Sequence, residues 1–212
     1  MTSSKKIFQI IIILILGFIL NANLIYSQLL PGGIDEDIIE KEPSDNNKIS
    51  VAIDIKTPNM LDTWGIELGA RIILPIYSNF SLGLGFYELF THNFIINTGD
   101  DSIQKHLRLG YFGLDLEYTA INMKPFRLSF SALLAFAHIS YGYRSDIDIA
   151  GDIAGDWIGL FEPSLNIYYD FSKNYFFGVG LGYRKSLGVN LLNLSDQSLS
   201  GMVLSLIIGI KL

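Results

Sequence analysis

Between residues 175 and 185 the chain alternates strictly: Tyr175, Phe177, Val179, Leu181 and Tyr183 are interleaved with Phe176, Gly178, Gly180, Gly182 and Arg184. A two-residue period is that of a β-strand whose two faces meet different surroundings, here one apolar and one small or polar. Comparable alternation recurs in eight segments, 48–56, 63–75, 80–90, 105–119, 126–143, 156–169, 175–185 and 199–212. A tilted strand crosses the hydrocarbon of a bilayer in about 9–11 residues, close to the length of most of these segments. Half of the residues are hydrophobic, yet Gly, Ser or a charge interrupts every long apolar run after residue 20, so no helical span is expected there. The pattern predicts an all-β fold, an eight-stranded antiparallel transmembrane up-and-down β-barrel. An even strand count lets the sheet close and removes the unpaired edges that lipid does not tolerate.

The first residues have the layout of a secretory signal: Lys5 and Lys6, an apolar run over 7–20, then Asn21, Asn23 and Ser27. Cleavage is expected after Ser27, which makes 1–27 a signal peptide. Residues 28–47 carry six acids against Lys41, with Pro31, Gly32, Gly33 and Pro43 opposing regular structure. They read as an acidic, flexible periplasmic N-terminal tail, followed by an outer-membrane barrel over 48–212. The barrel region holds 15 acids and 12 bases, a balance that gives nucleic acid no electrostatic footing. The chain has no Cys, which excludes disulfides, thiolate metal sites and attachment of lipid through a cysteine.

Connection lengths set the expected topology. Segments 76–79, 120–125 and 170–174 are short, whereas 91–104, 144–155 and 186–198 are longer. Bacterial barrels place short turns in the periplasm and long loops outside, so both termini are expected in the periplasm and 57–62 becomes the first external loop. Tyr77, Phe80, Tyr118, Phe126, Tyr169 and Tyr175 would then form the periplasmic aromatic girdle, and Trp64, Tyr143, Trp157 and Tyr183 the outer one.

Strand parity assigns a set of charges to the lumen: Asp54, Glu67, Arg71, Asp115, Glu117, Arg127, Glu162, Arg184 and Lys211. An eight-stranded barrel is just wide enough to be filled by its own side chains. Mixed charge inside is therefore read as a salt-bridged plug, with an ion path or proton relay as the functional alternative. Two stretches fall out of phase with their own strands, Leu107, Leu109 and Tyr111 in one and Ile139, Tyr141 and Tyr143 in another. A bulge, or a strand end rising above the bilayer, is the expected cause.

In the Tyr-Ser-Asn turn at 77–79 leading into the Gly-alternating 80–86, in Lys124-Pro125-Phe126, in 174–184 and in the terminal Ile210-Lys211-Leu212, the chain resembles the small outer-membrane β-barrel proteins of the Bacteroidota type. Their architecture is that of the OmpA transmembrane domain and OmpX. The resemblance covers 48–212 and implies an outer-membrane location, the barrel-insertion machinery as a partner, and contact with outer-membrane lipid and lipopolysaccharide. Leu212 stands where many such barrels end in Phe.

Three further constellations bear on chemistry. His138, Ser140 and the later Asp152 resemble the His-x-Ser arrangement with a following acid in outer-membrane lipid A deacylases, although Tyr141 replaces the Asn of that pattern and three strands follow the motif. As a catalytic set they would supply base, nucleophile and orienting acid; the plainer reading is an interfacial His at a strand end. His92 and His106 near Asp100 and Asp101 lack the close spacing of metal ligands and are read as part of a solvated loop. A tandem Asp-Ile-Ala-Gly repeat gives Asp146, Asp148, Asp152 and Asp156 as calcium candidates, though the spacing matches no complete calcium loop and a hydrated acidic tip is preferred. No cofactor is implied. The function expected is a monomeric, non-enzymatic outer-membrane barrel with a closed lumen and a structural or surface-interaction role. The alternatives are a lateral carrier for small apolar molecules and a lipid A deacylase-like hydrolase.

Overall fold

The computed structural model describes residues 48–91, 95–96, 105–143, 155–191 and 194–212. Eight long strands carry the fold: β1 (Ser50–Met60), β2 (Glu67–Tyr77), β3 (Phe80–Leu89), β4 (Lys105–Met123), β5 (Phe126–Tyr143), β6 (Gly155–Asp170), β7 (Tyr175–Leu187) and β8 (Gly201–Lys211). Each pairs antiparallel with its sequence neighbour, and β1 closes on β8 from Ser50 opposite Lys211 to Pro58 opposite Val203. The sheet is thus a closed eight-stranded barrel with no free edge. Two-residue pieces, Thr63–Trp64 and Ile95–Ile96, extend the pairing at the ends of β1 and β4.

Stepping between paired residues from Ser50 to Ile73, Gly83, Asp115 and Leu133, and on in the same registers to Glu162, Arg184 and Gly201, returns to β1 at Met60, ten residues beyond the start. This stagger is what tilts the strands and closes the cylinder. Every residue on the circuit faces the interior, so the track carries Asp115 on β4, Glu162 on β6 and Arg184 on β7.

The burial pattern is inverted relative to a water-soluble domain. Inward positions are buried and include nine Lys, Arg, Asp and Glu residues, while Ile53, Leu84, Phe86, Phe112, Leu114, Phe130, Phe136, Ile167, Val179, Leu181, Leu206 and Ile208 project outward and are exposed. An apolar outer surface that runs around the whole barrel is suited to lipid and far exceeds the patches that soluble monomers show. At the short-turn end an aromatic collar forms from Phe80 against Tyr118 (ring centroids 5.2 Å apart), Phe126 against Tyr169 (5.1 Å) and Tyr169 against Phe177 (5.4 Å). Trp64, Trp157 and Tyr183 project outward nearer the other end; the side chain of Tyr143 lies outside the described residues.

The structure departs from the expected boundaries in three places. The segment 57–62 is not a loop: β1 continues to Met60, and Leu61 and Asp62, with φ of 51° and 57°, form a tight turn to Thr63. Such turns favour Asn or Gly, so Leu61 gives no local signal; it is held by its N–H, which donates to the Ser198 carbonyl at 2.8 Å, and by packing on the interior cluster. The segment 120–125 is mostly strand, since β4 runs to Met123 and absorbs an extra residue as a bulge between Thr119 and Ile121. Finally, β4 and β5 keep their phase where sequence parity fails. Leu107, Leu109, Tyr111, Ile139 and Tyr141 point inward with the rest of the odd-numbered residues and are buried. The apparent slip reflects a lumen that changes from charged to apolar along its length.

Candidate functional site in the barrel interior

The interior is layered. At the turn end Asp170 receives Lys211 Nζ at 2.8 Å and Arg127 Nη2 at 3.3 Å, and the Arg127 guanidinium lies 4.8 Å from the Tyr168 ring centroid, a cation–π distance. The Tyr168 hydroxyl donates to Glu117 at 2.7 Å and accepts from Arg71 Nη2 at 3.1 Å. Arg71 also donates to Asp115 Oδ2 at 2.6 Å and faces Asp54 Oδ2 at 3.1 Å, which takes a further hydrogen bond from the Tyr87 hydroxyl at 2.8 Å.

The next layer centres on Arg184. Its Nη1 and Nη2 engage Glu67 Oε1 at 2.6 Å and Oε2 at 2.8 Å, its Nε and Nη2 engage Glu162 Oε2, and the Tyr111 hydroxyl sits 2.8 Å away. Lys56 Nζ donates to Glu162 Oε1 at 2.6 Å and lies 4.0 Å above the Tyr87 ring. All eight fully inward members of the expected charge set are buried, and Arg127 is nearly so. They form one connected ladder from Lys211 to Glu67. Burying ions without partners is prohibitive, whereas a network with matched charges and bidentate geometry is tolerated.

Several members were not singled out from sequence. Lys56 shares the parity of Asp54, and its partner is 106 residues away. Tyr87, Tyr111 and Tyr168 read as ordinary apolar positions, yet each spends its hydroxyl on a charged group. Glycines make room for them: a Cβ on Gly85 would lie 2.6 Å from the Tyr87 ring, and Gly69, directly across the strand pair from Tyr87, would be blocked by the same ring. Two polar cavities remain within the ladder, of about 20 Å³ and about 40 Å³. The smaller admits about one water-sized occupant and the larger a few.

Above Arg184 the interior turns apolar. Met60, Leu107, Leu109, Leu133, Ala137, Ile139, Ile158, Leu191 and Leu199 are buried together, with Leu61, Val189 and Leu194 packed against them. Leu191, Leu194 and Leu199 belong to the connection after β7, which folds into the mouth. That fold is pinned by Val189 N–H to Asp196 Oδ1 at 2.8 Å and Asn190 N–H to Asp156 Oδ2 at 2.9 Å. The barrel end is thus stopped by side chains from both strands and loop.

Comparison with solved structures places this geometry. The crystal structure of the N-terminal β-barrel domain of Pseudomonas aeruginosa OprF matches at TM-score 0.51 and 16% identity, over 78% of this chain and 98% of that one. The fold is that of the small outer-membrane barrels. Neisserial surface protein A agrees, at TM-score 0.53 and 13% identity over 77% of this chain and 96% of its own. No protein-family model and no curated protein sequence matches the chain.

The remaining candidate residues fall only partly within the described residues. Ser140 is buried at 2% exposure, and the His138 ring leans toward Trp157 (centroids 5.2 Å apart) on β6. Asp152 lies outside the described residues, as do His92, Asp146 and Asp148. Asp156 is engaged by backbone amides, Oδ2 by Asn190 and Oδ1 by Trp157 at 2.8 Å. His106 is not in a solvated loop: it is buried at the start of β4, paired with Ile95. Among the described residues no group of three or more His, Asp or Glu converges on a metal position.

Proposed function

We propose that the chain is exported and resides in the outer membrane as a monomeric, closed, non-enzymatic barrel that serves envelope structure or surface interaction through its loop end. The observation that carries the reading is the filled interior. A salt-bridged ladder and an apolar stop occupy the lumen in series, while the outer wall is apolar around the circumference. A barrel built in this way gains stability in lipid and offers solutes no path. The signal layout of 1–27, the acidic tail over 28–47 and the short-turn end of the barrel favour periplasmic termini. Insertion through the barrel-insertion machinery, contact with lipopolysaccharide and kinship with the Bacteroidota barrels follow from the same reading.

The test is direct. Outer-membrane fractions are run on a gel with and without boiling, and the purified barrel is added to planar bilayers. A heat-dependent mobility shift with no stable conductance is expected. Conductance steps from the unaltered protein would replace this reading with a pore, and an inner-membrane protein without a heat shift would remove the topology. Replacing 144–155 with a short turn should then abolish any surface partner while leaving the heat shift intact.

A further inference from the structure

The centre of the ladder is short of positive charge. Three carboxylates surround Arg71: Asp115 Oδ2 at 2.6 Å, Asp54 Oδ2 at 3.1 Å and Glu117 Oε2 at 3.8 Å. The outer oxygens of the two nearest acids, Asp54 Oδ1 and Asp115 Oδ1, are buried and accept no hydrogen bond. Both residues line the same cavity of about 20 Å³, whose wall also carries Ser131, Ser164, Asn166 and Ser205. The charged side chains on that wall are Asp54, Asp115, Glu162, Lys56 and Arg71, one negative charge in excess. The two cations are already engaged, Lys56 by Glu162 Oε1 and Arg71 by the Oδ2 atoms of Asp54 and Asp115 and by the Tyr168 hydroxyl, which leaves the two Oδ1 atoms without a donor.

A buried carboxylate oxygen that accepts no hydrogen bond is disfavoured even when its twin is ion-paired. We propose that this cavity is a binding site for one small monovalent cation of the sodium class, held between Asp54 Oδ1 and Asp115 Oδ1. Neutral oxygens from the serine and asparagine wall complete its shell. A monovalent ion cancels the excess charge on the wall. A divalent ion would overshoot it. A single water fits the volume but leaves the charge uncompensated. With the mouth stopped by the apolar cluster, the ion is captured as the barrel folds.

The experiment refolds the full mature chain from urea into detergent micelles in sodium chloride or in choline chloride of equal ionic strength, at mildly alkaline pH, and compares unfolding midpoints. Choline is too large for the cavity. Sodium is expected to raise the midpoint by about 5 °C, the size of effect that a ligand bound only by the folded state produces well above its dissociation constant. Asp115→Asn and Asp54→Asn should each remove the sodium dependence while retaining the heat-dependent gel shift. Equal midpoints of the unaltered barrel in the two salts overturn the proposal, whether or not either variant refolds. A midpoint that ignores sodium but falls steadily as pH rises from mildly acidic to alkaline also overturns it, by showing that a shared proton neutralises the two carboxylates.

Discussion

Arg184 clasps Glu67 across the interior through two contacts, Nη1 to Oε1 at 2.6 Å and Nη2 to Oε2 at 2.8 Å, although the two lie 117 positions apart in sequence. β7 and β2 are not neighbours in the sheet, so this pair ties together walls that backbone hydrogen bonds do not join. The same guanidinium holds Glu162, which Lys56 shares. Stability and closure of the barrel therefore meet at one residue.

Removing Arg184 leaves the buried Glu67 and Glu162 short of positive charge. Arg184→Met is expected to cost about 3–5 kcal/mol, the range for breaking a buried ion pair from one side. Glu67→Gln should cost less, because Arg184 keeps Glu162. Urea unfolding of the barrel in lipid vesicles measures both, and a loss below about 1 kcal/mol for Arg184→Met, the range of exposed pairs, would mean that water reaches the site.

The Tyr87 ring lies where a side chain on Gly85 would project, 2.6 Å from the ring and 2.9 Å from its hydroxyl. Gly85→Ala is expected to push the ring aside, weaken its hydrogen bond to Asp54 and destabilise by about 1–3 kcal/mol, as overpacking of a filled core does. In a Tyr87→Leu background the same substitution should cost less. A double-mutant cycle with no coupling between the two sites would refute the steric account.

Alternation alone carries the sequence a long way here, because a membrane barrel enforces period two on every strand. Glu67 and Arg71 share a face by parity, as do Asp115 and Glu117, and the structure buries all four. Parity says nothing of partners: that Arg184 meets Glu67 and Lys56 meets Glu162 depends on the ten-residue stagger around the barrel, which emerges only from eight registers together. It also misleads where the lumen changes character. Leu107, Leu109 and Ile139 look lipid-facing by residue type but fill the mouth, since hydrophobicity cannot tell a dry interior from a bilayer. The Leu61-Asp62 turn was hidden for a third reason, that its positive φ angles are imposed by tertiary contacts against local preference.

Outward residues should show a dependence on membrane depth that inward ones lack. Leu114 sits at the middle of β4 on the outer face, and Met123 ends the same strand. Leu114→Arg is expected to destabilise the barrel in bilayers by about 2–4 kcal/mol, and Met123→Arg by about 0–1 kcal/mol. Equal costs at the two positions, read from folding titrations into vesicles, would place the bilayer elsewhere on the strand.

His138 and Ser140 share a strand face; the imidazole packs beside Trp157 and Ser140 is buried. Expression of the chain should leave the acyl composition of surface lipid unchanged by mass spectrometry. Loss of one acyl chain, restored in Ser140→Ala, would establish hydrolysis instead.

Closure is built twice, and the two parts should fail separately. Replacing 189–199 with a short Gly-Ser turn withdraws Leu191 and Leu199 from the mouth, yet the layer around Arg184, Glu67, Glu162 and Lys56 still fills the cross-section below. The shortened barrel is therefore expected to remain silent in planar bilayers. Adding Arg184→Ala together with Glu67→Ala removes both ends of the span across the lumen, and the combined variant should pass small ions. Conductance from loop shortening alone would show that the ladder leaks and that the loop is the seal. Silence of the combined variant, with its heat shift intact, would show that neighbouring side chains collapse into the space and that closure does not depend on the charged layer.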